Sequence, residues 1–154
     1  MLLRTHLVFN LFLFLLLSKL NIVELNIITF LIVFFATALP DIDVIGSWIS
    51  KITKPASNLV HIFISHRELL HSLTFCLILF VLGILLRINP LYVFLFSGFY
   101  FLHLLVDSLT KSGIRWFWPS KFKTKGFFKT GSILEAILFV LLTLGMVVLV
   151  LSMV

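Results

Sequence analysis

Histidine and aspartate side chains recur at the ends of the apolar segments of this sequence. His103 and Asp107 are four residues apart in "FLHLLVDSLT", a spacing that puts both on one face of a helix. Asp41 and Asp43 follow Pro40 in "LPDIDV", where extended backbone lets both carboxylates point the same way. Imidazole and carboxylate ligands without thiolate suit Zn²⁺, Mn²⁺ or Fe²⁺. The pattern therefore predicts a site for a divalent metal ion.

Other candidate ligands lie where further apolar segments begin. His6 precedes the first segment, and His66 and His71 precede the third. His66 and His71 do not share one helix face, so we expect His66 to lie in the preceding loop and fold back. In chain order, the predicted metal ligands are His6, Asp41, Asp43, His66, His71, His103 and Asp107. This set exceeds what one tetrahedral ion uses, so it allows one or two ions.

The composition indicates what kind of fold must position these side chains. The chain has 154 residues, of which 61% are hydrophobic and 12% are charged. Soluble domains have about 45–50% apolar and about 25% charged residues, and a chain this small could not bury so much apolar surface. We therefore predict an all-α integral membrane protein that forms a single domain over residues 1–154.

Five apolar segments predict a bundle of about five transmembrane helices: Leu7–Leu17, Leu25–Leu39, Leu73–Leu86, Leu91–Val106 and Ile133–Leu151. Only the last segment reaches the length of about 20 residues that a full span requires. Either the other helices thin the bilayer locally, or their polar ends are buried inside the bundle. The second alternative bears on function, because the polar helix ends carry the predicted ligands.

Two longer polar stretches separate the helices. In Asp41–Ser72, "VIGSWISKIT" predicts an interfacial helix that stops near Pro55. In Ser108–Gly131, "RWFWP" is typical of an aromatic anchor at headgroup level, and "KFKTK" could form a short hairpin strand. With five spans, both loops share a face with the N-terminus, and this face holds ten of the 12 Lys and Arg residues. The positive-inside rule then places the N-terminus, the basic loops and the site on the cytoplasmic side.

Two other polar residues have both a structural and a chemical interpretation. Arg67 could hold its loop at the membrane surface or bind a phosphate beside the metal with its planar guanidinium, and we favour the phosphate. Ser132 and Glu135 have the S-x-x-E spacing of a capping box. Glu135 is therefore at least as readily a capping residue as a catalytic one.

The order of "LPDID", "HRELLHS", "HLLVDSLTKSG", "WP" and "GSILE" resembles the YdjM family, which is described as metal-dependent hydrolases of the inner membrane that bind LexA. The resemblance runs from His6 to Glu135, with one departure, because Glu68 stands where the family has a glycine after the "HR" pair. Carried over by position, it implies a functional polar set of His6, Asp41, Asp43, His66, Arg67, His71, Ser72, His103, Asp107, Thr110 and Gly113.

That family is in turn similar to zinc-dependent phospholipase C and single-strand nucleases, in which a His-x-x-x-Asp pair ligates metal. The resemblance implies a membrane-bound hydrolase that uses metal-activated water to cleave a phosphoester. Zinc is the first choice of ion, with manganese or iron as alternatives. At the membrane interface we expect a lipid-like substrate, with Arg67 stabilising the phosphoryl oxygens and Asp43 as the candidate general base.

Other functional classes fit the sequence less well. A transporter usually places ionisable groups near the membrane midplane, where this chain has Leu, Phe, Ile and Val. A bis-histidine haem carrier needs no carboxylates beside its histidines. A metal-binding regulatory protein without catalysis stays an alternative. Besides membrane lipids we expect no nucleic-acid partner, since no recognition helix with base-reading residues is apparent, and the sequence carries no signal for an oligomeric state.

Overall fold

The computed structural model describes residues 1–41 and 67–153, with Arg67 and Glu68 described by their backbone alone. These parts contain the helices α1 (Leu3–Lys19), α2 (Ile27–Ala38), α3 (Arg67–Leu70), α4 (Leu73–Leu85), α5 (Pro90–Ser108) and α6 (Ile133–Leu151). Between α5 and α6, strand β1 (Ile114–Arg115) pairs antiparallel with β2 (Lys123–Thr124) to form a two-stranded ribbon. The predicted mostly helical fold is confirmed, and β2 lies in the predicted "KFKTK" strand.

Each of the five predicted apolar segments forms a helix, but the helices differ in length. Among the helices of residues 1–41 and 67–153, only α5 and α6, at 19 residues each, are long and apolar enough to cross a membrane. Asn26 accepts hydrogen bonds from the first turn of α2, which begins at Ile27, two residues later than predicted. Ser72 accepts one from the first turn of α4, which begins at Leu73 as predicted. The predicted interfacial helix near Trp48 lies outside the described residues.

The core lies around α5. One apolar cluster joins α5 to α1 and α2, with Phe14, Val33 and Phe99 at its centre. A second cluster joins α5 to α4 and to β1. By contrast, α6 packs mainly against α1, and only 6% of its most apolar 18-residue stretch is buried within the protein. Such a helix, apolar and open on most sides, is typical of one whose neighbours are lipid chains.

A buried polar contact joins three of the helices. Asn10 of α1 donates from Nδ2 to Thr37 Oγ1 of α2 at 2.8 Å and to the Phe99 carbonyl of α5 at 3.1 Å. Asn10 and Thr37 are each 1% exposed, so the amide has little access to water. Hydrogen bonds of this kind between helices stabilise an apolar bundle by about 0.6–2 kcal/mol each.

We expect Asn10→Ala to lower the thermal midpoint of the protein in detergent by several degrees, because both hydrogen bonds between helices are lost. Thr143→Ala is the matched control, since the Thr143 hydroxyl bonds only within α6, to the Phe139 carbonyl at 2.8 Å. Differential scanning fluorimetry measures both midpoints. Equal shifts in the two variants would contradict a role for Asn10 in joining the helices.

Candidate metal centre

Four side chains from three parts of the chain meet at one end of the bundle. Asp41 follows α2, His71 lies between α3 and α4, and His103 and Asp107 lie on the last turns of α5. One ligand atom from each of these residues lies within 4.8 Å of all the others. We call these residues the four-residue group. It is a set of ligands that could hold a metal ion.

The distances within the four-residue group suit a divalent ion. His71 Nε2 lies 3.2 Å from Asp41 Oδ1 and 3.7 Å from Asp107 Oδ2. His103 Nε2 lies 3.7 Å from Asp107 Oδ2 and 4.0 Å from Asp41 Oδ2. Bonds of about 2.0–2.2 Å to a tetrahedral zinc ion put ligand atoms roughly 3.3–3.6 Å apart. The group is therefore close to the size that such an ion requires.

His103 gives a second reason to expect an ion. Its side chain is completely buried, and neither ring nitrogen has a hydrogen-bond partner among the described residues. Burying an unpaired polar atom costs about 1–3 kcal/mol. An ion between His103 Nε2 and the two carboxylates would satisfy this nitrogen, so the residues present fit a metal.

Electrostatics favours the ionised form of Asp41. Burial works to raise the pKa of its carboxyl, but the hydrogen bond with His71 and the fields of His103 and His71 outweigh burial and lower the pKa below its ordinary value. The ionised carboxylate is the form that binds a metal ion.

His71 is held by backbone contacts on both sides. The hydroxyl of Ser72 accepts a hydrogen bond from the Phe75 amide at 3.2 Å, which begins α4 directly after His71. The hydroxyl of Tyr100 on α5 donates to the Leu70 carbonyl at 2.5 Å. Ser72, one of the residues implied by the resemblance, thus positions His71 by capping the helix.

His6 lies beside the four-residue group. Its ring stacks on the ring of His103, with centroids 3.8 Å apart and planes 14° apart. Its Nε2 lies 3.0 Å from Asp107 Oδ1, and the Met1 amino group donates to the same oxygen. His6 thereby orients Asp107 and closes one side of the group.

Thr110 and Gly113 connect α5 to the ribbon. The Thr110 hydroxyl donates to the Asp107 carbonyl at 2.7 Å, and the Gly113 amide donates to the Thr110 carbonyl at 3.0 Å. Gly113 has φ of 61°, and a Cβ there would overlap the carbonyl of Thr124. These residues, also implied by the resemblance, fix the path of the chain as it leaves Asp107.

Glu135 contacts the start of α1 instead of the four-residue group. Its carboxylate accepts hydrogen bonds from the Leu2 amide at 2.7 Å, the Thr5 hydroxyl at 2.9 Å and the Gly131 amide at 2.7 Å. Its own amide donates to Ser132 Oγ at 3.4 Å, which is one half of the predicted capping box, whereas the Ser132 amide donates to the Lys129 carbonyl at 3.1 Å. Glu135 therefore holds α1 and α6 together near His6.

Some predicted site residues lie beyond what the structure describes. Asp43 and His66 fall within residues 42–66, and the side chain of Arg67 is also outside the described residues. Their predicted roles as ligands, general base and phosphate-binding residue stay predictions.

Comparison with known families identifies the family of this chain. The family model for YdjM inner membrane proteins matches residues 1–154, the whole chain. The chain belongs to the YdjM family. Searches of curated proteins and of solved structures found no match. Membership of an inner membrane family, together with two helices that could cross a membrane, makes this YdjM chain a membrane protein.

A polar pocket opens beside the four-residue group of this YdjM protein. Its volume is about 320 Å³, and His71 and Asp107 form part of its wall. Ser112, Gly113 and residues of the ribbon form the rest, with Arg115 and Lys123 among them. A molecule in this pocket would therefore meet candidate metal ligands and residues of the ribbon.

The sequence did not predict that these two cations line a pocket beside the four-residue group. It indicated Arg115 and Lys123 only as members of the basic loop. The signal that could have found them is the pairing of "GIR" with "KFKTK", which sets Arg115 opposite Lys123 soon after Asp107.

Proposed function

We propose that this protein is a membrane-embedded metal-dependent hydrolase that cleaves a phosphoester of a lipid-like substrate. The observation that supports it best is the gathering of two imidazoles and two carboxylates within 4.8 Å at the wall of an open pocket. A divalent ion held there, with zinc as first choice and manganese or iron as alternatives, would supply Lewis acidity toward water and a phosphoryl oxygen. One or two ions would bind.

The chain's own residues have distinct tasks in this proposal. His71 and Asp107 belong both to the four-residue group and to the pocket wall, so they would hold the reacting centre against the substrate. Asp41 and His103 lie deeper and complete the ligand set. Asp43, as the proposed base, would take a proton from water as the water oxygen bonds to phosphorus. The phosphorus–oxygen bond to the leaving alkoxide then breaks, and the alkoxide takes up that proton and leaves as an alcohol.

The directions of the helices support a proposal of five spans. Glu135 of α6 contacts Leu2 beside α1, and Lys19 Nζ, at the other end of α1, donates to Ser152 Oγ beyond α6 at 2.5 Å. Therefore α1 and α6 run parallel, which requires an odd number of crossings between them. The helices α2, α4 and α5 would supply three, with the N-terminus and the metal centre on the cytoplasmic side according to the distribution of Lys and Arg.

The test is hydrolysis by the full chain reconstituted into lipid nanodiscs with Zn²⁺, Mn²⁺ or Fe²⁺. We expect metal-dependent cleavage of at least one lipid phosphoester in a panel of mono- and diesters, detected by mass spectrometry. His71→Ala should abolish turnover, whereas Thr143→Ala on the open face of α6 should keep it. Protein that binds metal yet cleaves no member of the panel would contradict the hydrolase and favour the regulatory alternative.

A further inference from the structure

The segment that joins α5 to α6 carries only positive charge. Residues 109–132, which we call the aromatic–basic segment, contain five lysines and one arginine but no aspartate or glutamate. Arg115 has an interaction of its own within the protein, so the inference rests on the lysines. All five lysines are exposed: Lys111, Lys121, Lys123, Lys125 and Lys129. Their ammonium groups have no partner within residues 1–41 and 67–153, so their charge acts on the surroundings of the protein.

Large aromatic side chains are exposed in the same segment. The exposed fraction is 40% for Trp118 and 69% for Phe127. Phe122 is also exposed, and it stands between Lys121 and Lys123 in the chain. Exposed apolar groups that have polar neighbours are typical of surfaces that contact a membrane or another protein. The aromatic–basic segment therefore offers apolar and cationic groups to one partner.

These side chains are exposed on a segment whose backbone is held in place. The indole Nε1 of Trp116 donates to Thr124 Oγ1 at 2.7 Å, and the Trp116 carbonyl accepts from the Leu73 amide of α4 at 2.8 Å. The Phe128 amide donates to the Leu109 carbonyl, directly after α5, at 3.0 Å. The segment is thus fixed to the start of α4 and the end of α5, while its large aromatic side chains stay outside the core.

The neighbouring helices place the aromatic–basic segment at the membrane surface. It begins directly after α5 and ends directly before α6, the two helices that could cross a membrane. With both helices in the bilayer, the segment emerges at the level of the lipid headgroups. Aromatic side chains are enriched at this level. Lysines close to the end of a membrane helix are attracted by anionic lipids.

We propose that the aromatic–basic segment is a binding surface for anionic phospholipids of the surrounding leaflet. Its aromatic side chains lie among the headgroups, and its ammonium groups bind the lipid phosphates. A zwitterionic lipid also has a phosphate, but its own cation cancels the charge, so the lysines favour a lipid with net negative charge. Attachment to two membrane helices keeps the segment beside lipid, which favours lipid over a soluble polyanion. This binding does not depend on the proposed hydrolysis.

Quenching of tryptophan fluorescence by brominated lipids tests this binding in the full chain. Trp116 and Trp118 lie in the aromatic–basic segment, so Trp48→Phe leaves fluorescent reporters there alone. The chain is reconstituted into vesicles of phosphatidylglycerol and phosphatidylcholine, with bromine on the acyl chains of each lipid in turn. The two quenching curves give the relative affinity for the anionic lipid. We expect a preference of about fivefold or more, the effect of one lysine near an anionic surface.

Lys121→Gln combined with Lys125→Gln should lower this preference at least about threefold, because two exposed cations of the segment are lost. The matched control is Lys19→Gln combined with Arg87→Gln. It also removes two exposed cations, but they lie at the opposite ends of α1 and α4. Raising the salt concentration from about 0.1 M to about 1 M shortens the Debye length from about 10 Å to about 3 Å. It should therefore reduce the preference of the unsubstituted segment as well.

Native mass spectrometry of the unsubstituted chain, incubated in detergent with equal amounts of both lipids, gives a measure that does not depend on Trp48→Phe. Retention of more phosphatidylglycerol than phosphatidylcholine, lost in the Lys121 and Lys125 variant, would support the proposal. Equal affinities for the two lipids, or a preference that survives the loss of Lys121 and Lys125, would overturn it. Absence of quenching by either lipid would also overturn it, because the segment would then stand clear of the bilayer and its lysines would serve a soluble polyanion.

Discussion

Replacing His103 with alanine should abolish binding of a divalent ion while the helical bundle stays folded. His103 supplies one of the four candidate ligand atoms of the four-residue group. Mutation of a residue that merely hydrogen-bonds to a metal ligand lowers metal affinity by about 10–100-fold. We therefore expect the loss of a ligand itself to lower the affinity by more than about 100-fold. The substitution removes no hydrogen bond from the metal-free protein within the described residues, because neither ring nitrogen of His103 has a partner there. The fold should therefore persist.

Metal content by inductively coupled plasma mass spectrometry, on protein reconstituted in detergent with each ion, measures this effect. Circular dichroism checks that the helices persist. Ser97→Ala is the matched control, since the Ser97 hydroxyl is also buried on α5 without a hydrogen-bond partner among the described residues but lies outside the four-residue group. If the His103 variant kept the same metal stoichiometry and affinity as the Ser97 variant, the proposed centre would be wrong.

A second large effect is expected at Glu135, through stability. Glu135→Ala would leave the amides of Leu2 and Gly131 and the hydroxyl of Thr5 without their acceptor. Thr5 is buried, Leu2 is half-buried and Gly131 is exposed. Because a buried donor left unpaired costs about 1–3 kcal/mol and an exposed one can bond to water, we expect a loss of about 1–3 kcal/mol in the free energy of unfolding. The start of α1 should loosen first, because two of these three donors belong to it.

Thermal unfolding in detergent and hydrogen exchange of the α1 amides would measure this loss. Glu135→Gln keeps an acceptor oxygen, so it should recover part of the stability. Ser152→Ala removes the contact between α1 and α6 at their opposite ends, where Lys19 is exposed, and should cost little. A Glu135→Ala protein as stable as the Ser152 variant would show that the carboxylate does not hold these helices together.

The sequence predicted the ligands of the four-residue group because apolar chains penalise misplaced polar groups. A carboxylate or imidazole at the end of a membrane helix is costly unless it is paired, so its presence marks a site. His103 and Asp107 could be paired by helix spacing alone. Asp41 and His71 could be assigned because both lie at helix ends that the predicted topology brings to the same side.

Other features depend on contacts that local patterns do not reveal. The opposition of Arg115 and Lys123 depends on the register of the ribbon, which a shift of one residue would change. The partners of Glu135 on α1 lie more than a hundred residues away in the chain. The start of α2 depends on the cap at Asn26, which begins this helix at Ile27, later than hydropathy alone suggests.

The order of these elements along the chain has a consequence for biogenesis. His6 and Asp41 are synthesised first, whereas Asp107 and then Glu135 emerge last, and chains leave the ribosome N-terminus first. Until α5 is made, the Asn10 amide lacks its acceptor at Phe99 and His6 lacks its contact with Asp107. Until α6 is made, the start of α1 lacks its acceptor at Glu135. The proposed metal centre would likewise be complete only after His103 and Asp107 have been synthesised.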